Sequence, residues 1–341
     1  MSEDFSYAII YLLKEIKDLR VLSNGSERDT YMATEKNYRP LTFDDYMGQE
    51  RAKKILKIAI KAAKIKGQCL DHVLISGGSG LGKSTLAQII ANESGQNIKT
   101  YSGPAIKKVE DIVDILCEVE EGELIFLDEI HSTNRKIQEV LFLAMEQFIV
   151  DTSIDGMPMR QELPHFTLVG ATTDLDGLEE PCRNRFQLQV QLEDYEDDTM
   201  ASIVRNAFKS MDVECPEDCC EMIGRVSRSV PRNANSYCRR VYDTALVLNE
   251  GVITPEVVTD TLDLLGINKY GLNDLDMKYL KCLAENRKAT GLETLAMMCG
   301  TTKGSIEKVV EPFLIKTEYI HKGPRGRSIT TLGMEVYQEC K

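Results

Sequence analysis

The chain has 341 residues, and its 54 acidic side chains against 41 lysines and arginines leave a formal charge of −13. Hydrophobic residues at 43% and charged residues at 28% are typical of a globular protein of two or three domains and argue against long disorder. The acidic total also argues against a protein that coats nucleic acid indiscriminately, because phosphate binding needs a basic surface; it does not exclude a local basic site.

No segment stays apolar over about 18 residues, so the sequence predicts no membrane span. An acidic pair stands where a signal peptide would carry its basic n-region. The ten cysteines are spread along the chain, and the closest three, Cys215, Cys219 and Cys220, lack the paired spacing of a zinc site. We therefore expect reduced thiols and a cytoplasmic protein.

Residues 1–36 are predicted to form a helical N-terminal leader, since apolar residues recur at helical spacing from Phe5 to Leu19. The polar stretch Ser23–Thr30 ends that helix. The helix either packs on the body of the protein or forms an arm that binds a partner, and both readings stay open.

From Tyr38 onward, helices alternate with short apolar strands. Helices are predicted at Gln49–Lys66, Ser84–Glu93, Val109–Glu118 and Arg135–Phe148, and strands at His72–Ser76, Ile98–Tyr101, Leu124–Leu127 and Thr167–Val169. Strands separated by helices imply a parallel sheet covered on both faces. We therefore predict an α/β domain over residues 37–192.

Two further domains are predicted after the sheet. Helical periodicity dominates residues 193–267, which indicates a small all-helical domain. Gly266–Asn273 contains two glycines and is predicted to be a hinge. Residues 268–341 form the last domain, with three helical stretches followed by two short strands around Gly323–Gly326.

A glycine-rich segment carries the strongest chemical signal. Gly77–Ser84 reads Gly-Gly-Ser-Gly-Leu-Gly-Lys-Ser and fits the phosphate-loop pattern G-x-x-x-x-G-K-[ST] between a strand and a helix. Glycines let backbone N–H groups turn toward phosphates, and the N-terminus of the next helix adds positive potential. Lys83 is expected to contact the β- and γ-phosphates of ATP, and Ser84 to ligate Mg²⁺.

Carboxylates and hydroxyls follow two core strands. Asp128 and Glu129 end an apolar strand 45 residues after Lys83. In the same sheet, Asp128 would lie beside the phosphate loop and hold Mg²⁺, and Glu129 would orient the attacking water. Thr173 ends another core strand, where its hydroxyl would approach the γ-phosphate; ordinary turn chemistry is the alternative.

Two arginines are candidates for stabilising the transition state. Arg185 follows the helix-breaking Pro181. Most such arginines are surface residues, but a guanidinium supplied to a neighbour's γ-phosphate is worth about 10³ to 10⁵ in rate. Arg232 opens a helix of the small domain, where it could reach the nucleotide and couple its state to domain closure.

The last domain is the basic part of the chain. Lys322, Arg325 and Arg327 lie in a glycine-rich turn between the two predicted strands, and cations at a hairpin tip suit a phosphate backbone. A solvated hairpin without a ligand is the alternative. From Asp274 onward, with Lys269 included, 12 basic residues face 9 acidic ones; this is +3, against −16 for the rest of the chain.

These motifs, in this order, resemble the AAA+ superfamily and, within it, the RuvB family of bacterial Holliday-junction branch-migration motors. The resemblance extends from about Arg39 to Thr331. It is carried by Arg39-Pro40, Asp45-Tyr46-Met47-Gly48-Gln49, Leu70-Asp71-His72, Thr100-Tyr101-Ser102-Gly103-Pro104, Leu127-Asp128-Glu129-Ile130-His131, Phe166–Thr173, Glu311–Ile315 and Pro324-Arg325-Gly326-Arg327.

The resemblance implies an αβα P-loop sandwich, a helical lid and a winged helix, assembled as a homo-hexameric ring around duplex DNA. It implies that ATP contacts Arg39, Gly80, Leu81, Gly82, Lys83, Ser84, Thr85, Tyr195 and Arg232. Thr173 would be the first sensor, Arg232 the second sensor in cis, and Arg185 a finger acting on the adjacent subunit. DNA would contact the wing residues Lys322, Arg325 and Arg327 and, on the preceding helix, Lys303.

The chain departs from the family pattern in several places. The phosphate loop has Gly-Gly-Ser-Gly where Gly-Pro-Pro-Gly is usual, and Asp174 replaces an arginine. Val150–Pro164 is shorter than the hairpin region through which the family contacts its partner RuvA, which holds four-way junction DNA. These changes leave the implied ATP and Mg²⁺ chemistry intact but put a RuvA-like partner in doubt.

The leading hypothesis is an ATP-driven motor that moves duplex DNA and migrates four-way junctions in recombination and repair. A second hypothesis is a remodelling ATPase, derived from the same family, that acts on a DNA-bound protein other than RuvA. A third is an ATP-gated DNA-binding regulator in which hydrolysis only resets the winged helix. A closed ring with translocation would distinguish the motor, and a preferred DNA sequence the regulator.

Overall fold

The structure, a computed structural model, describes residues 39–154, 157–286 and 288–341. The predicted leader helix lies outside these residues. The first part of the described chain contains α1 (Glu50–Lys66), β1 (Val73–Ser76), α2 (Lys83–Ser94), β2 (Ile98–Ser102), α3 (Val109–Cys117), β3 (Leu124–Asp128), α4 (Arg135–Gln147), β4 (Ile149–Ile154), β5 (Met157–Glu162), β6 (Thr167–Thr172), α5 (Glu180–Arg183) and β7 (Leu188–Gln191).

Five of these strands form one parallel sheet in the order β2-β3-β6-β1-β7. Successive side chains on a strand point to opposite faces, so β3 sends Phe126 into one core, and Ile125 and Leu127 into the core on the other face. Burial on both faces explains the unbroken apolar run of this strand. The predicted α/β sandwich is confirmed.

Strand register brings the chemistry to one edge of the sheet. Ser76 at the end of β1 lies opposite Thr172 at the end of β6, and Leu127 of β3 lies opposite Gly170. Ligands of open parallel sheets bind beyond the carboxyl ends of the strands. The phosphate loop, the carboxylate pair and the two threonines therefore share this edge.

Two features of this domain were not among the predicted elements. Strand β7 adds an edge strand beside β1, and β4 and β5 form an antiparallel hairpin in which Ile149 lies opposite Glu162. Across this hairpin, Arg160 donates to both carboxylate oxygens of Asp151 at 2.8 and 3.2 Å. The hairpin occupies the segment in which the sequence is shorter than the family pattern.

The next part is entirely helical, as predicted. It contains α6 (Asp197–Ser210), α7 (Glu217–Val226), α8 (Pro231–Leu248) and α9 (Pro255–Leu264). Helices α6 and α7 approach closely at Gly224, where an added Cβ would lie 2.9 Å from the backbone nitrogen of Ala201. We call this part the lid.

The last part is a winged helix. It contains α10 (Asp274–Glu285), α11 (Leu292–Cys299), α12 (Lys303–Ser305), a π-helical turn (Ile306–Val310), α13 (Glu311–Lys316), β8 (Ile320–Gly323), β9 (Gly326–Ile329) and α14 (Thr331–Glu339). Strands β8 and β9 pair through Gly323 and Gly326, so only Pro324 and Arg325 form the tip of the wing. The final helix α14 was not predicted. Among the described helices, none has both the length and the apolar character to cross a bilayer.

Candidate functional site

The phosphate loop links β1 to α2 through three glycines with left-handed backbone angles. Gly77, Gly80 and Gly82 have φ values of 148°, 80° and 101°. A Cβ added to Gly80 would lie 2.6 Å from a methyl carbon of Val230, and one added to Gly82 would lie 2.8 Å from the hydroxyl oxygen of Tyr46. The loop therefore requires glycine at both positions, for its conformation and for its contacts.

Lys83 begins α2 and is 6% exposed. Its ammonium group donates hydrogen bonds to the carbonyl oxygens of Gly77 and Gly78 at 2.8 and 2.9 Å. Burial lowers the pKa of Lys83, against the opposing effect of the Glu129 and Asp128 carboxylates. The loop thus holds the cation in place, where phosphate oxygens can replace the two carbonyl oxygens.

Ser84 and Asp128 form a set of oxygen atoms beside the loop. The Ser84 hydroxyl donates to Asp128 Oδ2 at 3.3 Å, and Asp128 Oδ1 accepts from the backbone N–H of Glu129 at 3.0 Å. Hydroxyl and carboxylate oxygens next to a phosphate site are the ligands that Mg²⁺ prefers. The predicted ligand pair is brought together and fits the ion.

Glu129 lies next to Thr173 and His131. Thr173 donates its hydroxyl to Glu129 Oε2 at 3.3 Å, and His131 Nε2 lies 3.4 Å from the same oxygen. On the other side of the ring, Nδ1 lies 3.0 Å from the Thr172 hydroxyl, which donates to the carbonyl oxygen of Asp174 at 2.7 Å. The His131 ring thus lies between Glu129 and Thr172, with one ring nitrogen facing each of them.

His131 is therefore a site residue to which the sequence reasoning gave no role. The signal for it was its place two residues after Glu129 in the turn that ends β3. Its partner Thr172 is 41 positions further along the chain, so only the packing of β6 beside β3 shows the contact.

Two buried tyrosines support the phosphate loop. The hydroxyl groups of Tyr195 and Tyr46 lie 3.1 and 3.4 Å from the Leu81 carbonyl oxygen and 3.2 Å from each other. Burial raises the pKa of both phenols, so they remain neutral donors. Tyr195 was predicted to contact ATP, and here its hydroxyl contacts the loop itself. Tyr46 had no predicted role.

Arg232 reaches the loop from the first turn of α8. Its guanidinium donates to the Ser79 hydroxyl at 3.2 Å, and its backbone N–H donates to the Gly80 carbonyl oxygen at 3.4 Å. Thr85 follows Ser84 in the first turn of α2. Arg39 is exposed at the start of the described chain. The structure thus brings Arg232 to the phosphate loop, and its contact with the nucleotide stays a prediction.

Arg185 is placed elsewhere, against α4. Its guanidinium lies 2.9 Å from Glu146 Oε1 and 4.7 Å from the centre of the Phe142 ring. Its buried Nε has no hydrogen-bond partner among the described residues. These contacts lie outside the group of side chains around Lys83 in the same chain.

The wing presents fewer free cations than the sequence predicted. Arg325 is exposed at the tip, while the Lys303 ammonium lies 2.7 Å from Glu293 Oε1 and that of Lys322 lies 3.4 Å from Glu311 Oε2. Arg327 was expected to contact DNA, but it is 11% exposed and donates to both oxygens of Glu311 at 2.7 and 3.2 Å. In this structure, its guanidinium is therefore occupied by a protein carboxylate.

The partner carboxylate Glu311 is itself buried, with 2% of its side chain exposed. Burial alone would raise the pKa of Glu311, but hydrogen bonds from Arg327 and from Tyr279, whose hydroxyl donates at 3.0 Å, hold the pKa below its usual value. The pair joins the wing to α10 and α13, which explains why the sequence places an arginine next to the turn.

A parallel sheet with a phosphate loop, a carboxylate pair and a lid arginine defines a P-loop ATPase of the AAA+ class, here joined to a winged helix. Three family models match in sequence: the Holliday junction DNA helicase RuvB P-loop domain at residues 38–192, the RuvB AAA lid domain at 195–268 and the RuvB C-terminal winged helix domain at 269–338. The chain belongs to the RuvB family.

Individual relatives cover nearly the whole chain. The "Holliday junction branch migration complex subunit RuvB" of Campylobacter hominis is 41% identical over 307 residues, which is 89% of this chain and 90% of that protein. The protein of the same description from Kosmotoga olearia is 42% identical over 301 residues, 86% and 88% of the two chains. The structure of the RuvB Holliday junction branch migration motor of Thermotoga maritima is 37% identical, with a TM-score of 0.77 over 88% of this chain and 98% of that one.

Proposed function

We propose that this chain is an ATP-driven DNA motor that migrates Holliday junctions in recombination and repair. The observation that carries the proposal is that Lys83, Asp128, Glu129 and Arg232 meet at one edge of a sheet in a chain that also has a winged helix. Relatives described as branch migration subunits match all three parts of the described chain.

We assign each of these side chains a task in hydrolysis. Lys83 binds the β- and γ-phosphates of ATP, in exchange for its two carbonyl partners. Glu129, oriented by Thr173 and His131, accepts the proton of the attacking water. Ser84 and Asp128 would hold Mg²⁺, which would supply positive charge that neutralises the phosphates. Arg232 stabilises the same charge from the lid.

The proposed assembly rests on the position of Arg185. Arg185 lies outside the group around Lys83, so we propose that it acts on ATP bound by the adjacent subunit of a homo-hexameric ring in the cytoplasm. Duplex DNA contacts Arg325 and Lys322 of each wing and Lys303 of the preceding helix. The domain limits remain those of the sequence, with the ATPase domain at 37–192, the lid at 193–267 and the winged helix at 268–341.

The decisive test is branch migration of a synthetic four-way junction, with and without purified RuvA. We expect ATP-dependent migration, with Lys83→Ala as the inactive control because it removes the phosphate ligand. Absence of migration in both conditions, with ATPase activity intact, would reject the proposal. Migration that RuvA does not increase would instead reject a RuvA-like partner, and a pull-down on the junction measures that contact directly.

A further inference from the structure

One short segment of the lid contacts both the phosphate loop and the start of the winged helix. We call residues 226–232, from the last residue of α7 to the second residue of α8, the lid turn. At one end, Val230 and Arg232 pack on Gly80, whose added Cβ would lie 2.6 and 3.1 Å from their side chains. At the other end, a Cβ added to Gly271 would lie 2.9 Å from the Val226 carbonyl oxygen. The lid turn therefore packs closely against Gly80 at one end and Gly271 at the other, where a larger residue would not fit.

The lid turn is held in an unusual backbone conformation. Arg228 and Ser229 both have left-handed angles, with φ of 58° and 60°, which side-chain-bearing residues rarely adopt. Ser227 holds the turn together: its buried hydroxyl donates to the Ile223 carbonyl oxygen at 2.6 Å, and its own carbonyl oxygen accepts from the Val230 N–H at 3.1 Å. A segment fixed in this way moves as one piece more readily than it deforms.

Arg228 joins this turn to three elements of the winged helix. Its Nε donates to the Gly271 carbonyl oxygen at 2.7 Å, and its terminal nitrogen forms an ion pair with Asp276, which is fully buried. The guanidinium also stacks 4.4 Å from the centre of the Phe313 ring. Arg228 therefore attaches the turn to the hinge, to α10 and to α13 at once.

Lys316 adds a second attachment, which includes the segment between β7 and α6. Its ammonium lies 3.0 Å from the Ser229 hydroxyl and 2.9 Å from Asp194 Oδ2. Asp194 immediately precedes Tyr195, whose hydroxyl contacts the phosphate loop at Leu81. The same lysine thus touches the lid turn and the chain that leads from the sheet into the lid.

We propose that the lid turn couples nucleotide binding at the phosphate loop to the position of the winged helix, with Arg228 as the coupling residue. The inference rests on the proposed function in one respect: ATP must bind at the phosphate loop. A γ-phosphate that engages Arg232 breaks its contact with Ser79 and shifts the start of α8. Because the turn is rigid, the shift reaches Arg228 and, through Asp276 and Gly271, the winged helix.

Amide hydrogen exchange on the full-length chain tests this link without DNA. The probe is a non-hydrolysable ATP analogue with Mg²⁺, and exchange is followed at residues 77–84 and 268–276. Coupling between sites is commonly 5- to 150-fold, so we expect an exchange change of about tenfold at 268–276 in the wild type. In Arg228→Lys and in Lys316→Ala, the exchange change at 268–276 should fall to less than about a third of its wild-type size. Both variants should still show nucleotide-dependent protection of residues 77–84.

Glu339→Ala is the matched control, because it breaks an exposed ion pair to Lys269 from outside the measured segment and should keep the full change. If Arg228→Lys fails to fold, Lys316→Ala carries the test, since Lys316 is 45% exposed. Unchanged exchange at 268–276 in the wild type, or an equal change in the variants, overturns the link. Loss of branch migration with the exchange change intact would reject the proposed motor and leave the link standing.

Discussion

The chain holds its functional cations in two contrasting settings. At the nucleotide site, Lys83 is buried and its position is set by backbone carbonyl oxygens of the phosphate loop. In the winged helix, Lys322 and Lys303 are exposed on long side chains and already lie near carboxylates. A preorganised, desolvated charge binds a compact polyphosphate strongly, whereas exposed cations are screened by salt and contribute little each. Changes at the first site should therefore cost orders of magnitude, and changes at the second small factors.

The largest effect is expected at Arg185, which tests whether the nucleotide site extends to a neighbouring subunit. Arg185→Ala should lower ATP turnover by about 10³- to 10⁵-fold, because it removes positive charge from the transition state. In rings that mix Arg185→Ala subunits with Glu129→Gln subunits, part of the ATPase activity should return. Some interfaces of such a ring combine an intact Glu129 from one subunit with an intact Arg185 from its neighbour. Steady-state ATPase assays measure both, with Arg183→Ala as the neighbouring control. Unchanged turnover in Arg185→Ala would reject the finger role.

Glu129→Gln separates binding from chemistry at the same site. The amide keeps the shape of the side chain but cannot accept the proton of water, so single-turnover hydrolysis should fall about 10²- to 10⁴-fold. Nucleotide titration should show binding like that of the wild type. Glu139→Gln, on the exposed face of α4, is the control. Normal hydrolysis by Glu129→Gln would show that another group activates the water.

Most residues of the candidate nucleotide site could be predicted from the sequence, because they fall in short, contiguous motifs. The phosphate loop occupies eight successive residues, and Asp128 and Glu129 directly follow a four-residue apolar run. Parallel strands then bring these segments to one edge without further information. His131 was missed because its partners are recognised only after the strands are aligned: Thr172 is 41 positions away.

The contacts of the wing were harder to predict because, like those of His131, they join residues that are far apart in the chain. Arg327 lies in a run of cations that is typical of a DNA contact, but its partner Glu311 is 16 positions earlier and becomes buried only when α13 packs against the wing. Strand β7 is only four residues long, and helix α14 follows the wing without a long apolar repeat. Local sequence patterns predicted the fold class of each domain. Which cationic side chains of the wing lack a carboxylate partner is decided by tertiary packing.

Arg327→Ala tests that revised view of the wing. The substitution leaves Glu311 buried without its arginine, and an unsatisfied buried charged group costs about 2–3 kcal/mol. Denaturant unfolding should therefore show a loss of this size, and Arg327→Lys should recover part of it. A stability unchanged by Arg327→Ala, together with weaker DNA binding, would restore Arg327 as a DNA contact.

His131→Ala tests whether His131 orients Glu129 at the nucleotide site. Loss of the ring removes an orienting neighbour of Glu129, and we expect kcat to fall about tenfold, equivalent to roughly 1.4 kcal/mol. KM for ATP should change little, because His131 contacts the carboxylate and not the phosphate loop. His131→Asn should recover part of kcat if its amide donates to Thr172. A parallel change in KM would indicate a general loss of structure instead.

The smallest effect is expected at Arg325, the exposed cation at the wing tip. Each phosphate that a cation neutralises releases counterions and adds about one to the dependence of log affinity on log salt. Arg325→Ala should lower this slope for duplex DNA by about one and weaken binding evenly across sequences, without loss of folding stability. Because binding is measured at several salt concentrations, a stability defect cannot be mistaken for this slope. An unchanged slope would place the DNA contact away from the wing tip. The expected loss of slope, set beside the loss of stability in Arg327→Ala, would instead distinguish a DNA-contacting cation from a structural one two residues away.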